Sequence, residues 1–322
     1  MKPFAPAIAA LALAVAAISP AGAQSYPARP VKIVVPFAPG GPADLFARQL
    51  GQYMSEDLKQ SFVIEDRPGA GSILGTEAVA KAAPDGYTLL AMSNTHTTNE
   101  SLIPNKPFAL MRDFLAVAPI NYSDLLMVVP PSLPATDLKE FIALAKAKPG
   151  ALNYASSGPG TPYHMAGELF KAMSGTNIVH VPYKGSGEAR NAVIGGHVDM
   201  MFDAITTMAA NARAGQVRAL GTTGLKRSTV LPEVPTIAEA GVPGYAVEAW
   251  YAILAPRGTP QDVVDKLSAA IADAVRSPDV SEKLESLGNV PVGSTAGEAA
   301  SYIDAEAKRW HELLGATGIH LD

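Results

Sequence analysis

Apolar, strand-like runs alternate with amphipathic helical stretches over nearly the whole chain, and this rhythm does most to limit its fold. Residues 32–37, 62–65, 88–92, 125–129, 179–181, 198–202 and 217–222 read as strands. Residues 42–58, 76–83, 138–147, 162–174, 188–194, 260–276, 278–287 and 296–315 read as helices. Short strands separated by helices predict parallel sheets covered by helices on both faces. Pro/Gly breaks cluster in connecting loops such as LPEVP at 231–235 and GVPG at 241–244, and no long linker or low-complexity tract separates the halves. Two α/β domains follow, with the chain crossing between them near 126–130 and 246–252.

The first 23 residues read as an export signal rather than as part of the fold. Lys2 is their only charge, residues 8–18 form an apolar run too short to span a bilayer, and Ala21, Gly22 and Ala23 form a small-residue cleavage site. Cleavage after Ala23 leaves about 300 residues, enough for two hydrophobic cores. No later stretch reaches ~18 apolar residues. The expectation is a soluble protein of a bacterial periplasm, without direct membrane insertion. Cysteine is absent, which excludes thiol nucleophiles, disulfides and thiolate metal sites. The net charge is −5 and there is no basic block, so no nucleic-acid partner is expected. An anionic protein still binds anions where local dipoles, not net charge, act on the ligand.

The run VKIVVPFAPGGPAD at 31–44 adds a local constraint. An apolar strand leads into Gly40 and Gly41, and Pro42 stands where the first helical residue belongs, since its missing N–H would be unpaired there anyway. A strand, tight loop and helix N-terminus present unpaired backbone N–H groups and the positive end of a helix dipole, which together attract an anion. The device recurs in RPGAGSILG at 67–75, SNTHTTN at 93–99 and NYASSGPGTPYH at 153–164, where Thr161 is a good N-cap before Pro162. PYKGSG at 182–187 is a weaker instance. Each loop taken singly is also an ordinary turn. At the strand ends of an open α/β sheet, several of them can face one cleft.

Other chemistries find less support. GAGSILG at 69–75 has glycines one residue off the dinucleotide fingerprint, and the strand at 88–92 ends in Ser93 and Asn94 rather than an acidic residue, so no cofactor is expected. Ser156 and Ser157 lie in no G-x-S-x-G elbow, although with His164 they leave an exported hydrolase as a rival reading. His311 and Glu312 lack a second His four residues on, and the six His are scattered, so no metal is expected. Asp44 reads as a partner for N–H groups in the first turn of its helix, Asp199 as a turn residue, and Asp203 as a strand-end carboxylate that either reaches the cleft or stays structural. Lys184 pairs with a carboxylate or is solvated. Phe37, Tyr183, Trp250 and Tyr251 are core residues or apolar cleft walls.

Nine stretches carry a family resemblance: VPFAPGGPAD at 35–44, EDRPGAG at 65–71, PDGYTLL at 84–90, YASSGPGT at 154–161, HMAGELF at 164–170, HVPYKG at 180–185, LPEVPTIAEAG at 231–241, PGY at 243–245 and APRGTP at 255–260. Together, in this order along the mature chain, they resemble the Bug-type receptors, extracytoplasmic solute-binding proteins of tripartite tricarboxylate transporters. The resemblance implies a type II periplasmic-binding-protein fold, two Rossmann-like lobes with a hinge and a ligand cleft between them. Lobe 1 would comprise residues 26–126 plus 251–322, and lobe 2 residues 127–250. It implies a monomeric, non-enzymatic receptor for a small organic mono- or dicarboxylate, aromatic acids included. The partners would be the membrane subunits of such a transporter; a receptor reporting to a membrane sensor kinase would share the fold and pocket. Carried over by position, Phe37, Ala38, Gly40 and Gly41 would contact the ligand from the first loop. Ser156, Ser157, Thr161 and His164 would do so from the other lobe, while Ser93, Thr95, Tyr183, Asp203 and Ala204 would tune specificity. Two segments depart from the family pattern. NESLIPNKPF at 99–108 stands where an Asn-Pro-Ser-Leu-Tyr run with a later Pro-Tyr-Asp is usual, and Trp250, Tyr251 and Ala252 stand in place of Trp-x-Gly.

Overall fold

The structure is a computed structural model that describes residues 26–317; the expected export signal lies outside the described residues. The chain runs β1 (Val31–Val35), α1 (Pro42–Leu58), β2 (Phe62–Asp66), α2 (Ile73–Ala80), β3 (Thr88–Ser93), α3 (Thr95–Leu102), α4 (Leu110–Asp113) and β4 (Phe114–Val129). It continues through α5 (Leu138–Ala147), β5 (Asn153–Ser156), α6 (Pro162–Ser174), β6 (Val179–Pro182), α7 (Ser186–Ile194), β7 (Met200–Ala204), α8 (Ile205–Arg213) and β8 (Arg218–Thr222). Last come α9 (Ile237–Ala240), β9 (Glu248–Pro256), α10 (Gln261–Arg276), α11 (Pro278–Ser286), β10 (Asn289–Pro291) and α12 (Ala296–Thr317).

The strands form two groups joined by one long strand. In the first group β1 lies between β2 and β3 and is parallel to both, and β3 continues into β9 and β4. In the second group β5 lies between β6 and β7, again parallel to both, and β7 continues into β4. β4 serves both groups in turn: Phe114 to Asp124 pair with β9, and Leu125 to Val129 pair with β7 and β8. The return passage lies between β8 and β9, with Val247 N–H bonded to Thr223 O at 3.0 Å. The sheets are therefore mixed, not parallel as the alternation predicted. β4 carries the chain out of the first group and β9 carries it back, so the two run in opposite directions side by side.

Local chemistry explains the elements that flank the strand ends. Gly41 is extended (φ −82°, ψ 167°) ahead of Pro42, so α1 starts where its proline predicts. Thr161 caps α6 through its hydroxyl, and Gly175 ends that helix in the left-handed conformation. On α10, Val263, Val264, Leu267, Ala270, Ile271, Ala274 and Val275 form one buried stripe at helical spacing. The core beneath α1 (Phe46, Leu50, Met54) is continuous with that of the second group, where Phe141, Phe170, Phe202 and Tyr245 are fully buried. Each such side chain contributes about 1.5–3 kcal/mol by leaving water.

The glycine-rich run at 69–75 is structural. A β-carbon on Gly75 would lie 2.6 Å from Arg67 O and 2.8 Å from Pro36 Cβ, so α2 packs against the end of β1 only without a side chain there. The run at 93–99, expected as a loop, is instead the start of α3, buried from Thr95 to Asn99. Its hydroxyls turn back on their own backbone: Thr97 Oγ1 donates to Asn94 O at 2.8 Å and Thr98 Oγ1 to Thr95 O at 2.9 Å.

Candidate functional site

Three strand-to-helix loops, β1–α1, β5–α6 and β6–α7, converge on one cleft between the two strand groups. In α1 the first intrahelical bond is Leu45 N–H to Gly41 O at 3.1 Å, so the amides of Ala43 and Asp44 precede the ladder. In α6 it is Met165 N–H to Thr161 O at 2.9 Å, which places the Tyr163 amide ahead of the ladder. Gly41, Pro42, Ala43, Thr161, Pro162, Tyr163, Gly185 and Ser186 all line the cleft, so three helix N-termini face it. Among the described residues Lys184 is the only charged one lining it, and it is exposed.

The loops of the two groups touch. Thr98 Oγ1 donates to Gly160 O at 2.7 Å. A β-carbon on Gly185 would lie 2.8 Å from Ala38 Cβ, and one on Gly41 would lie 3.3 Å from Ser186 Oγ. In this arrangement the cleft encloses about 40 Å³, room for a few water molecules. The floor is polar and neutral. Ser93 Oγ donates to Thr95 Oγ1 at 3.1 Å, and both residues line the cleft. Beneath them His96 is buried, with Nε2 3.0 Å from Thr76 Oγ1 and its ring edge against Phe37. Burial pulls the His96 pKa down to about 4, so the ring is uncharged.

Of the residues expected at the site, Phe37, Ala38, Gly41, Ser93, Thr95, Ser157 and Thr161 line the cleft. The other six do not. Gly40, at φ +78°, gives its N–H to Asp44 Oδ2 at 2.8 Å, and Arg48 pairs with the other Asp44 oxygen. Ser156 is fully buried, with its Oγ 2.7 Å from His180 Nε2. His164 Nδ1 accepts the Gly160 N–H at 3.1 Å, and its ring stacks on His180 at 4.1 Å. Tyr183 is half-buried against the apolar cluster of the second strand group. Asp203 is fully buried, with Arg190 Nε at 2.8 Å and its own neighbour Ala204 N–H at 2.9 Å, and Ala204 is buried beside it. Burial raises the Asp203 pKa, against the lowering effect of the Arg190 charge beside it.

This geometry gives the Ser/His hydrolase reading no support at Ser156. Ser156 pairs with His180, not His164, and offers no exposed nucleophile. Burial, with the nearby His164 and Lys171 charges, pulls the His180 pKa down to about 3, too low for a general base near neutrality. The expectation missed Tyr163. It is buried in the cleft wall, with its hydroxyl beside that of Tyr251. Burial keeps that phenol protonated. Its place directly after Pro162, in the first turn of α6, was the available signal. Among the described residues no group of three or more His, Cys, Asp or Glu side chains could hold a metal ion. No helix among them is long and apolar enough to cross a membrane.

A two-group α/β fold whose loops close on a cleft ringed by helix N-termini and hydroxyls is the architecture of periplasmic solute-binding proteins, and comparison with known proteins places it further. Residues 46–319 match the family model described as tripartite tricarboxylate transporter family receptor. Protein BugT of Bordetella pertussis is 36% identical over 318 residues, covering 98% of each chain. The structure of Rpa4515 of R. palustris with adipate superposes with a TM-score of 0.89 at 36% identity, covering 92% of this chain and 99% of that one. MatC of Rhodopseudomonas palustris with bound malate gives a TM-score of 0.85 at 35% identity, covering 90% and 100%. The chain belongs to the tripartite tricarboxylate transporter receptor family, and its fold is the two-lobed fold of the Bug-type binding proteins.

Proposed function

We propose that this chain captures a small organic carboxylate between two lobes in the periplasm and delivers it to the membrane subunits of a tripartite tricarboxylate transporter, without catalysis. We take the lobes as residues 26–126 with 251–322, and 127–250, within a few residues of the points where strand pairing changes sides. One observation carries the reading: the N-termini of α1, α6 and α7 converge on one cleft whose other polar groups are hydroxyls and the exposed Lys184. Fixed amides and dipoles suit a carboxylate and need no buried arginine. The hydroxyls of Thr95, Ser157 and Ser186 supply further donors. A charge-assisted hydrogen bond contributes about 1.5–3 kcal/mol, and three or four of them support micromolar binding after ordering costs, about −8 kcal/mol. The adipate and malate held by two relatives support an acid of four to six carbons as the ligand class. Entry of such a ligand requires the touching loops to part, and they meet again around it.

The test is a thermal-shift screen of the chain from Gln24 onward. The panel holds adipate, malate, a tricarboxylate, an aromatic acid and an acidic amino acid, each beside its uncharged amide. A saturable rise with one acid and none with its amide is the expected result. Equal rises for an acid and its amide would overturn the carboxylate reading.

A further inference from the structure

We propose that the chain holds a second small-molecule site, between the β4–β9 pair and α12, that takes a small organic ammonium ion. A cavity of about 350 Å³ lies there, bordered like the cleft by Tyr251 of β9 and far roomier than the cleft itself. Its size falls within the range of small-ligand pockets, about 300–1,000 Å³.

The strand register fixes its walls. Tyr122 lies opposite Trp250, and two residues on, Asp124 lies opposite Glu248. Residues two apart on a strand share a face, and of these four Tyr122, Trp250 and Glu248 line the cavity, with Asp124 beside Glu248 at its edge. From α12, Tyr302 closes the far wall with its ring edge-on to Trp250 at 5.2 Å. An ammonium ion carrying methyl or alkyl groups suits three aromatic rings and a carboxylate.

The two carboxylates are uncommitted. Among the described residues, neither Asp124 nor Glu248 accepts a side-chain hydrogen bond or forms an ion pair. The other acids of this face are engaged. Glu298 holds the Thr295 N–H and hydroxyl, and Glu306 holds Arg309 and the Trp250 indole N–H. Arg309 bonds Ala246 O as well, and acts on Glu248 only at a distance. Like charges directly opposite across a strand pair are unfavourable. Burial first, and Glu248 second, push the Asp124 pKa up to about 7. Burial raises Glu248 too, opposed by Arg309 and reinforced by Glu306. Tyr122 and Tyr302 stay protonated beside them. A bound cation would face the Glu248 carboxylate and ease its repulsion with Asp124. The site also sits on the strands that join the two groups, since β4 changes partners directly after Asp124.

The test uses the whole mature chain, with tetramethylammonium and n-butylammonium as probes and 1-pentanol, butyrate and methylguanidinium as controls. Trp250 is one of only two tryptophans, so its emission reports occupancy alongside thermal shift. The expected result is saturable binding of the ammonium probes and none of butyrate, with affinity falling about tenfold or more in Glu248→Gln. Tyr302→Ala, at a partly exposed wall position, should weaken binding as well without unfolding the chain. Three results would each overturn the proposal: no saturable response to either ammonium ion, 1-pentanol binding as well as n-butylammonium, or unchanged affinity in Glu248→Gln. Binding of methylguanidinium alone would overturn it in favour of an arginine side chain from a partner protein. Because the acid screen reads a different cleft, either result leaves the carboxylate reading to its own test.

Discussion

Gly185→Ala isolates the closing of the cleft from the stability of either lobe. Gly185 is extended (φ −169°, ψ 165°), a conformation any residue adopts, so its own loop accepts alanine without strain. The obstacle lies across the cleft, where the new methyl would stand 2.8 Å from Ala38 Cβ. Carbon atoms rest comfortably at about 3.5 Å or more, so the loops must part by roughly 0.7 Å. Overpacking of this kind costs about 1–3 kcal/mol, and here it burdens only the arrangement in which the loops meet. If the carboxylate binds that arrangement, apparent affinity falls about 5–150-fold, while the apo melting temperature stays within about 2 °C. Titration calorimetry with the acid selected by the thermal-shift screen measures this directly. The second arm is the double variant Ala38→Gly/Gly185→Ala, which removes the opposing methyl and should recover most of the loss. A dissociation constant for Gly185→Ala within twofold of the parent would refute the reasoning, as would a double variant no better than the single one.

Three other variants test separate parts of the account. Thr161→Ala removes the α6 cap and a cleft hydroxyl; melting should drop by about 2–4 °C, from about 1 kcal/mol, and carboxylate binding should weaken in calorimetry. Gly75→Ala drives a methyl into Arg67 O and Pro36, and denaturant unfolding should show a loss of about 1–3 kcal/mol, with no change in the slope. Asp124→Asn tests the buried acid. Its folded pKa of about 7 lies above the ordinary value of 3.8, so the folded chain holds the extra proton between them. Stability is therefore lost as pH rises through this window. From pH 5 to 8 the parent should lose roughly 1–3 kcal/mol more than Asp124→Asn, measured by denaturant titration at each pH.

The local parts of this structure were legible in the sequence, and the paired parts were not. α1, α5 and α6 begin and end where prolines, caps and periodicity place them, because those signals act within a few residues. The first half of β4 and all of β9 escaped, since both are nearly continuously buried and show neither alternation nor a nearby partner. At the cleft, Gly41, Ser157 and Thr161 were readable from loop chemistry. Asp203 was not, because Arg190 reaches it across α7 and no spacing rule announces that pair. Ser156 misled for the same reason: its histidine is His180, on the neighbouring strand, rather than His164 in its own segment.

The two strand groups share a plan that the sequence hides. In each, the first strand lies between the second and third, and a helix with proline in its first turn follows that central strand, at Pro42 in one and Pro162 in the other. No close repeat of residues is needed for this, because the groups turned toward the cleft are backbone amides, which any side chain leaves in place. Recognition spread over amides on both sides has a consequence. Deleting one hydroxyl, as in Thr161→Ala, removes one cleft-lining group among several and should cost less than hindering the approach of the loops. The approach itself depends on Ala38, Gly41 and Gly185 being small, since each brings backbone to within contact of the opposite group. Gly185→Ala should therefore weaken binding more than Thr161→Ala, although Gly185 presents no side chain to any ligand.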